Sequence, residues 1–153
     1  MASTARQLRH QPQLQRLPAP FHLSIITHSV DDARRFYVDI LGCEETRATP
    51  TLVHFDLWGS QLTLHEIADY QASSVQCEVD PDDVPAPHFG VALDEADFHQ
   101  IAGRLKEANW PFVLEPHQRF MDEGPEQWVL FVLDPSGNAI EITSLYPKQP
   151  PGT

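Results

Sequence analysis

The sequence predicts an α+β fold made of two tandem β-α-β-β-β modules, and three observations carry the prediction. A strand-like apolar alternation runs directly into a capped amphipathic helix, first from His22 and again from His88. Each helix is followed by alternating segments broken by a turn signal. An acidic, proline-rich stretch, "DPDDVPAP", lies between the two copies. At 153 residues the chain suits one domain with a sizeable core, here assigned to residues 20–147.

The elements follow in order. "MASTARQLRHQPQLQRLPAP" lacks acidic residues and an apolar face, which predicts a disordered tail over residues 1–19. In "FHLSIITHSV", His22, Ser24 and Ile26 share one strand face and Phe21, Leu23 and Ile25 the other. Ser29 is placed to cap a helix with Asp31 and Asp32 in its first turn; Val30, Ala33, Phe36, Ile40 and Leu41 recur at helical spacing, and Gly42 suits a left-handed stop. "TLVHFDLWG" and "SQLTLHEI" read as strands paired through a turn near Gly59, closing module one at about residues 20–70. A linker is expected over about 71–86. Module two, about 87–147, repeats the order: strand "HFGVAL", an Asp94-capped helix with an apolar stripe of Phe98, Ile101, Leu105 and Ala108, short strand "FVLEP", polar loop "HQRFMDEGPEQ", and a hairpin turning through "DPSG". Residues 148–153 read as a second tail, because the prolines of "YPKQPPGT" interrupt a strand ladder.

Composition narrows the partners. Ten Lys and Arg stand against 22 Asp and Glu, a net charge of −12, which argues against nucleic acid and anionic membrane surfaces. A small-molecule substrate and a second copy of the chain remain. Cys43 and Cys77 follow no metal or disulfide-framework spacing, and neither a secretory signal nor a long apolar run is present, so a reducing cytoplasm is expected.

The repeat also brings forward four residues. His22 and His88 open the first strands, and His65 follows Phe55 at the interval by which Glu141 follows Phe131. All four are metal-ligand types. Each has a plainer reading: a strand-end histidine is often only a polar terminus, and alternation would turn Glu141 outward with Ala139 and Thr143. The facing of His65 against Glu66 stays open. Coincidence of type at repeated positions favours a metal site, because solvent-facing side chains have no reason to show it. His28, His54, His99 and His117 have no repeated polar counterpart and His10 lies in the tail, so these five read as surface or structural. Arg119, Glu126 and Gln127 of the polar loop are candidate catalytic or substrate-orienting residues if that loop covers the cavity.

"FHLSIITHSVDDARRFYVDILGCEE", "QLTLHE", "PHFGVAL" and "FVLDPSGNAIEI" together resemble the vicinal oxygen chelate superfamily, which includes glyoxalase I, bleomycin- and fosfomycin-resistance proteins and extradiol dioxygenases. The resemblance implies two βαβββ modules forming a curved mixed sheet around a central metal cavity, with ligands from the first and last strand of each module: His22, His65, His88 and Glu141. It implies a metal-dependent enzyme that binds a substrate through neighbouring oxygens at a divalent ion (Fe, Mn, Ni or Zn), with lyase, isomerase or ring-cleaving dioxygenase chemistry. The alternative it offers is a metal-free antibiotic-binding protein of the bleomycin-resistance type. Glyoxalase I members carry a carboxylate where this chain has His65, which weighs against that activity; two histidines with Glu141 form the set associated with Fe(II). A homodimer is also implied.

Overall fold

The computed structural model describes residues 21–73, 76–79, 82–119 and 127–144, so both expected tails lie outside the described residues. Two four-stranded mixed sheets make up the fold. The first contains β1 (His22–Thr27), β2 (Glu44–Thr49), β3 (Leu52–Leu57) and β4 (Ser60–Glu66), in the order β1-β4-β3-β2. Between β1 and β2 lies α1 (Val30–Arg34), which continues as a π-helical segment, Arg35–Leu41. After a two-stranded hairpin, β5 (Gln76–Val79) and β6 (Asp82–Pro85), the second sheet repeats the plan with β7 (His88–Leu93), α2 (Glu95–Glu107), β8 (Phe112–Arg119), β9 (Gln127–Leu133) and β10 (Ala139–Ser144), in the order β7-β10-β9-β8. In each sheet the first strand is an edge and runs parallel to the last.

Both helix starts are as expected. The Asp32 amide donates to Ser29 Oγ at 3.1 Å and the Asp97 amide to Asp94 Oδ1 at 2.9 Å, which satisfies N–H groups that have no partner within the helix. Gly42 ends the π-helical segment at φ 83°. Arg104 of α2 donates to the carbonyls of Leu41 and Asp39, tying the second helix to the end of the first helical region.

The main core lies between the sheets and their helices and includes residues of both modules. Phe36, Tyr37, Val53, Phe55, Leu62 and Leu64 of the first meet Phe98, Leu105, Leu130, Val132, Ile140 and Ile142 of the second. Phe36 packs on Trp110 with ring centres 4.8 Å apart, and Trp110 Nε1 donates to the Leu133 carbonyl at 2.9 Å.

Three elements differ from expectation. The expected linker holds the β5–β6 hairpin, whose Val84 is buried against Val129 and Phe131 in a smaller second core. Strand β8 extends to Arg119, so His117, Gln118 and Arg119 join a ladder instead of a loop; Pro116 is accommodated because β8 is an edge interrupted by two register shifts. Strand β2 has all six residues exposed and therefore no apolar alternation to read. Among the described residues, no helix is long and apolar enough to cross a membrane.

Candidate metal centre

His88 and Glu141 come together in the second module. Parallel pairing sets Ala139 opposite His88 and Glu141 opposite Gly90, so both side chains leave the same face of adjacent strands. His88 Nε2 lies 3.4 Å from Glu141 Oε2, with both side chains about 30% exposed or less. His88 Nδ1 is 2.7 Å from the Pro85 carbonyl, which can only accept; the proton therefore sits on Nδ1 and Nε2 is turned toward Glu141. The imidazole also meets Phe131 edge-on at 5.1 Å. Gly90 is required here, because a Cβ on it would run into the Glu141 backbone.

The "DPSGN" turn that delivers Glu141 is fastened to the first module. Asp134 accepts from the amides of Ser136 and Asn138 at 2.8 and 2.9 Å, from Asn138 Nδ2 at 2.8 Å and from the buried Tyr37 hydroxyl at 3.0 Å. Burial raises the Asp134 pKa above the ordinary carboxylate value, although these bonds pull it down. The Tyr37 hydroxyl is pushed well above its usual pKa, first by burial and then by the Asp134 charge, so it remains a donor. Ser136 Oγ meets Thr27 Oγ1 at 3.0 Å and both the amide and Nδ1 of His28 at 2.9 Å, while His28 Nε2 lies 3.1 Å from Asp32. Asn138 Nδ2 donates to the Ile26 carbonyl at 2.9 Å. Although serine, histidine and aspartate stand in a row here, Ser136 has no solvent exposure, so its hydroxyl acts as a clasp between modules.

In the first module, register decides the question left open between His65 and Glu66. Glu66 lies toward the helix, its Oε2 accepting from the Val30 amide at 2.7 Å at the start of α1. His65 therefore shares the opposite face with His22. The two are nevertheless far apart: His22 pairs with Gln61, and His65 lies four residues further on, opposite Ile26, a separation on the order of 13 Å along the strand. By register the counterpart of Glu141 is Thr63, which faces Ser24 as Glu141 faces Gly90. Equal spacing from Phe55 and Phe131 misleads because the hairpins differ. The first turns tightly, with Leu57 paired to Ser60, whereas the second takes residues 134–138 between Leu133 and Ala139. Phe55 consequently faces the main core and Phe131 the face of Glu141.

His54, read from the sequence as surface or structural, stands on the same face, opposite Thr63. Gln61 Nε2 donates to its Nδ1 at 2.9 Å, and its pKa is lowered by burial and by the nearby Arg47, His22 and His65. Numbering outward from the Trp58–Gly59 turn pairs 54 with 63, a signal present in the sequence.

Nitrogen and carboxylate donors that converge as His88 Nε2 and Glu141 Oε2 do, with the far ring nitrogen fixed, suit a divalent cation. Among the described residues, no group of three or more His, Cys, Asp or Glu lies close enough to hold one within a single chain.

A sequence profile of the Glyoxalase/Bleomycin resistance protein/Dioxygenase superfamily matches residues 19–142. The chain belongs to this superfamily. Among solved structures, a glyoxalase/bleomycin resistance protein/dioxygenase from Alicyclobacillus acidocaldarius is 29% identical at TM-score 0.69, covering 86% of this chain and 96% of that one. A glyoxalase/dioxygenase from Nostoc punctiforme is 20% identical at TM-score 0.62, covering 83% and 90%. A lactoylglutathione lyase from Agrobacterium tumefaciens is 19% identical at TM-score 0.57, covering 85% and 96%. No curated protein matches the sequence. The two lower-identity likenesses establish the glyoxalase-superfamily fold alone.

Of the loop residues considered within this superfamily fold, Arg119 ends β8 opposite Gln127, and Gln127 Nε2 donates to the Ser144 carbonyl at 3.0 Å. Glu126 lies outside the described residues.

Proposed function

We propose that the chain is a metal-dependent enzyme of the glyoxalase/dioxygenase type, with His22, His88 and Glu141 as ligands of a divalent ion. The observation that carries this reading is the His88–Glu141 pair, held at 3.4 Å with the outer ring nitrogen locked on Pro85. His65 is left out of the set because register places it well beyond His22, and Thr63 at the fourth position supplies no carboxylate. When bound, the ion would act as a Lewis acid toward a substrate bearing oxygens on neighbouring atoms. This chain's residues would present donors, fix the imidazole tautomer through Pro85 and hold Glu141 in register through the Asp134 turn. Two histidines and one carboxylate favour Fe(II) over the other divalent ions considered. Because His22 does not group with His88 and Glu141 in one chain, we further propose a homodimer in which a second copy supplies it.

Elemental analysis and metal titration of protein purified without an affinity tag test the reading. Glu141→Gln, His88→Gln and His22→Gln should each weaken metal binding by tenfold or more, whereas His65→Gln should leave it nearly unchanged. Light scattering should report a dimer. Protein that carries no metal and shows no thermal shift with Fe(II), Mn(II), Ni(II) or Zn(II) would overturn the enzyme reading. The alternative, a metal-free ligand-binding protein of the bleomycin-resistance type, would then stand, favoured by the apolar cavity beside His88.

A further inference from the structure

The cavity between the modules specifies what kind of molecule it accepts. It encloses about 480 Å³ and is walled by Leu23 and Ile25 of β1, Pro85 and Pro87 around the end of β6, Phe89 of β7 and Ala139 of β10. Leu23 and Ile25 pack toward the main core, on the side of β1 away from His22, so this space is separate from the histidine-bearing face of the first sheet. His88 forms part of its wall. Leu23, His88 and Phe89 also border a second space of about 320 Å³.

The polar groups of the larger cavity are mostly engaged. Tyr70 donates to Asn138 Oδ1 at 3.3 Å, and Asn138 Nδ2 is committed to the Ile26 carbonyl and to Asp134. Ser73 is solvent-exposed. Among the described residues neither lysine nor arginine lines the space, and the chain carries a net charge of −12. A carboxylate or phosphate placed there would lose its hydration without gaining a cation. His88, whose Nδ1 proton is held by the Pro85 carbonyl and whose Nε2 is turned toward Glu141, is the wall group left to accept a hydrogen bond from a ligand hydroxyl.

We propose that this cavity takes the body of a neutral, predominantly apolar ligand, a ring or short alkyl chain, with its hydroxyl-bearing end at His88. The inference deepens the proposed function and rests on it only for the placement of that hydroxyl. It excludes a polyanionic conjugate as the preferred substrate.

The test is calorimetric titration of the full-length protein with 4-alkylphenols from methyl to pentyl, in EDTA so that binding requires no metal. Affinity should rise about fourfold per methylene, and 4-alkylbenzoates of equal length should bind at least about tenfold more weakly. Ala72→Trp, which fills the cavity from its half-buried wall, should abolish the length dependence. If that variant does not fold, the comparison of phenols with benzoates on the unaltered protein carries the test. Benzoates binding as tightly as phenols, or phenol affinity independent of length, would overturn the proposal. Length-dependent binding by a protein that takes up no metal would sink the enzyme reading and leave the cavity standing. Metal-dependent turnover of a vicinal-oxygen substrate without length-dependent binding would do the reverse.

Discussion

Replacing Asp134 by alanine should damage this fold more than most single substitutions, and the hydrogen-bond inventory gives the size. The carboxylate accepts four bonds, two from backbone amides, one from the Asn138 amide and one from Tyr37. The Tyr37 hydroxyl has no solvent exposure and would be left without an acceptor, at about 1–3 kcal/mol; lost bonds from the turn amides bring the expected total to about 3–5 kcal/mol. For a chain of this length that corresponds to a fall in melting temperature of about 10 °C. Tyr37→Phe removes one donor from a carboxylate that keeps three, and should cost about 1.5–3 kcal/mol. Because both changes break one shared bond, the double variant should be less destabilised than the sum of the singles by about 1 kcal/mol or more. Urea denaturation of the four proteins, followed by tryptophan fluorescence, measures the cycle. A cost below about 1 kcal/mol for Asp134→Ala, or strict additivity, would refute the view that this turn is a buried joint between modules.

The other expectations concern pH, cysteine reactivity and two backbone contacts. Because burial holds the Asp134 pKa above its unfolded value of 3.8, its contribution to stability is complete below that value and is lost as pH rises through the folded one. The stability of the native protein relative to Asp134→Asn should therefore decline as pH rises above the unfolded value and through the folded one; a rise would contradict the assigned shift. Burial pushes the Cys43 thiol up to about 12, so in a Cys77→Ser background it should react with a disulfide reagent only after urea unfolding. Rapid labelling of the native protein would count against that burial. Gly90→Ala should cost about 1–3 kcal/mol and weaken metal binding, since the added methyl displaces the backbone of Glu141. Glu66→Ala should cost about 1–2 kcal/mol by freeing the Val30 amide at the start of α1, whereas a neutral effect in thermal melts would show that solvent replaces the bond.

The modular plan was legible because each module announces itself locally. Ser29 and Asp94 cap where capping chemistry requires, and Gly42 takes the left-handed conformation its position suggests. What escaped depends on pairing across distance. Glu141 and His88 come together because β7 and β10 are adjacent parallel strands, whereas the match of His65 to Glu141 rests on counting from Phe55, and counting ignores how many residues a turn consumes. Three strands give no sequence signal, for two reasons: β2 buries nothing, and the β5–β6 hairpin lies in an acidic stretch where Val84 of β6 is the residue that joins a core. His54 has no repeated polar partner in the sequence; its place on the histidine-bearing face comes from lying across from Thr63.

The segment joining the modules shows how a duplicated chain acquires asymmetry. Two tandem copies of one unit, fused by an inert tether, would offer two similar half-sites. Here the connection folds into a hairpin that covers Phe131, orients the His88 ring through Pro85 and supplies two prolines to the cavity wall. The tautomer of His88 is thereby fixed from outside its own module, and sequence drift in the connector becomes a way to retune the ligand without touching either module.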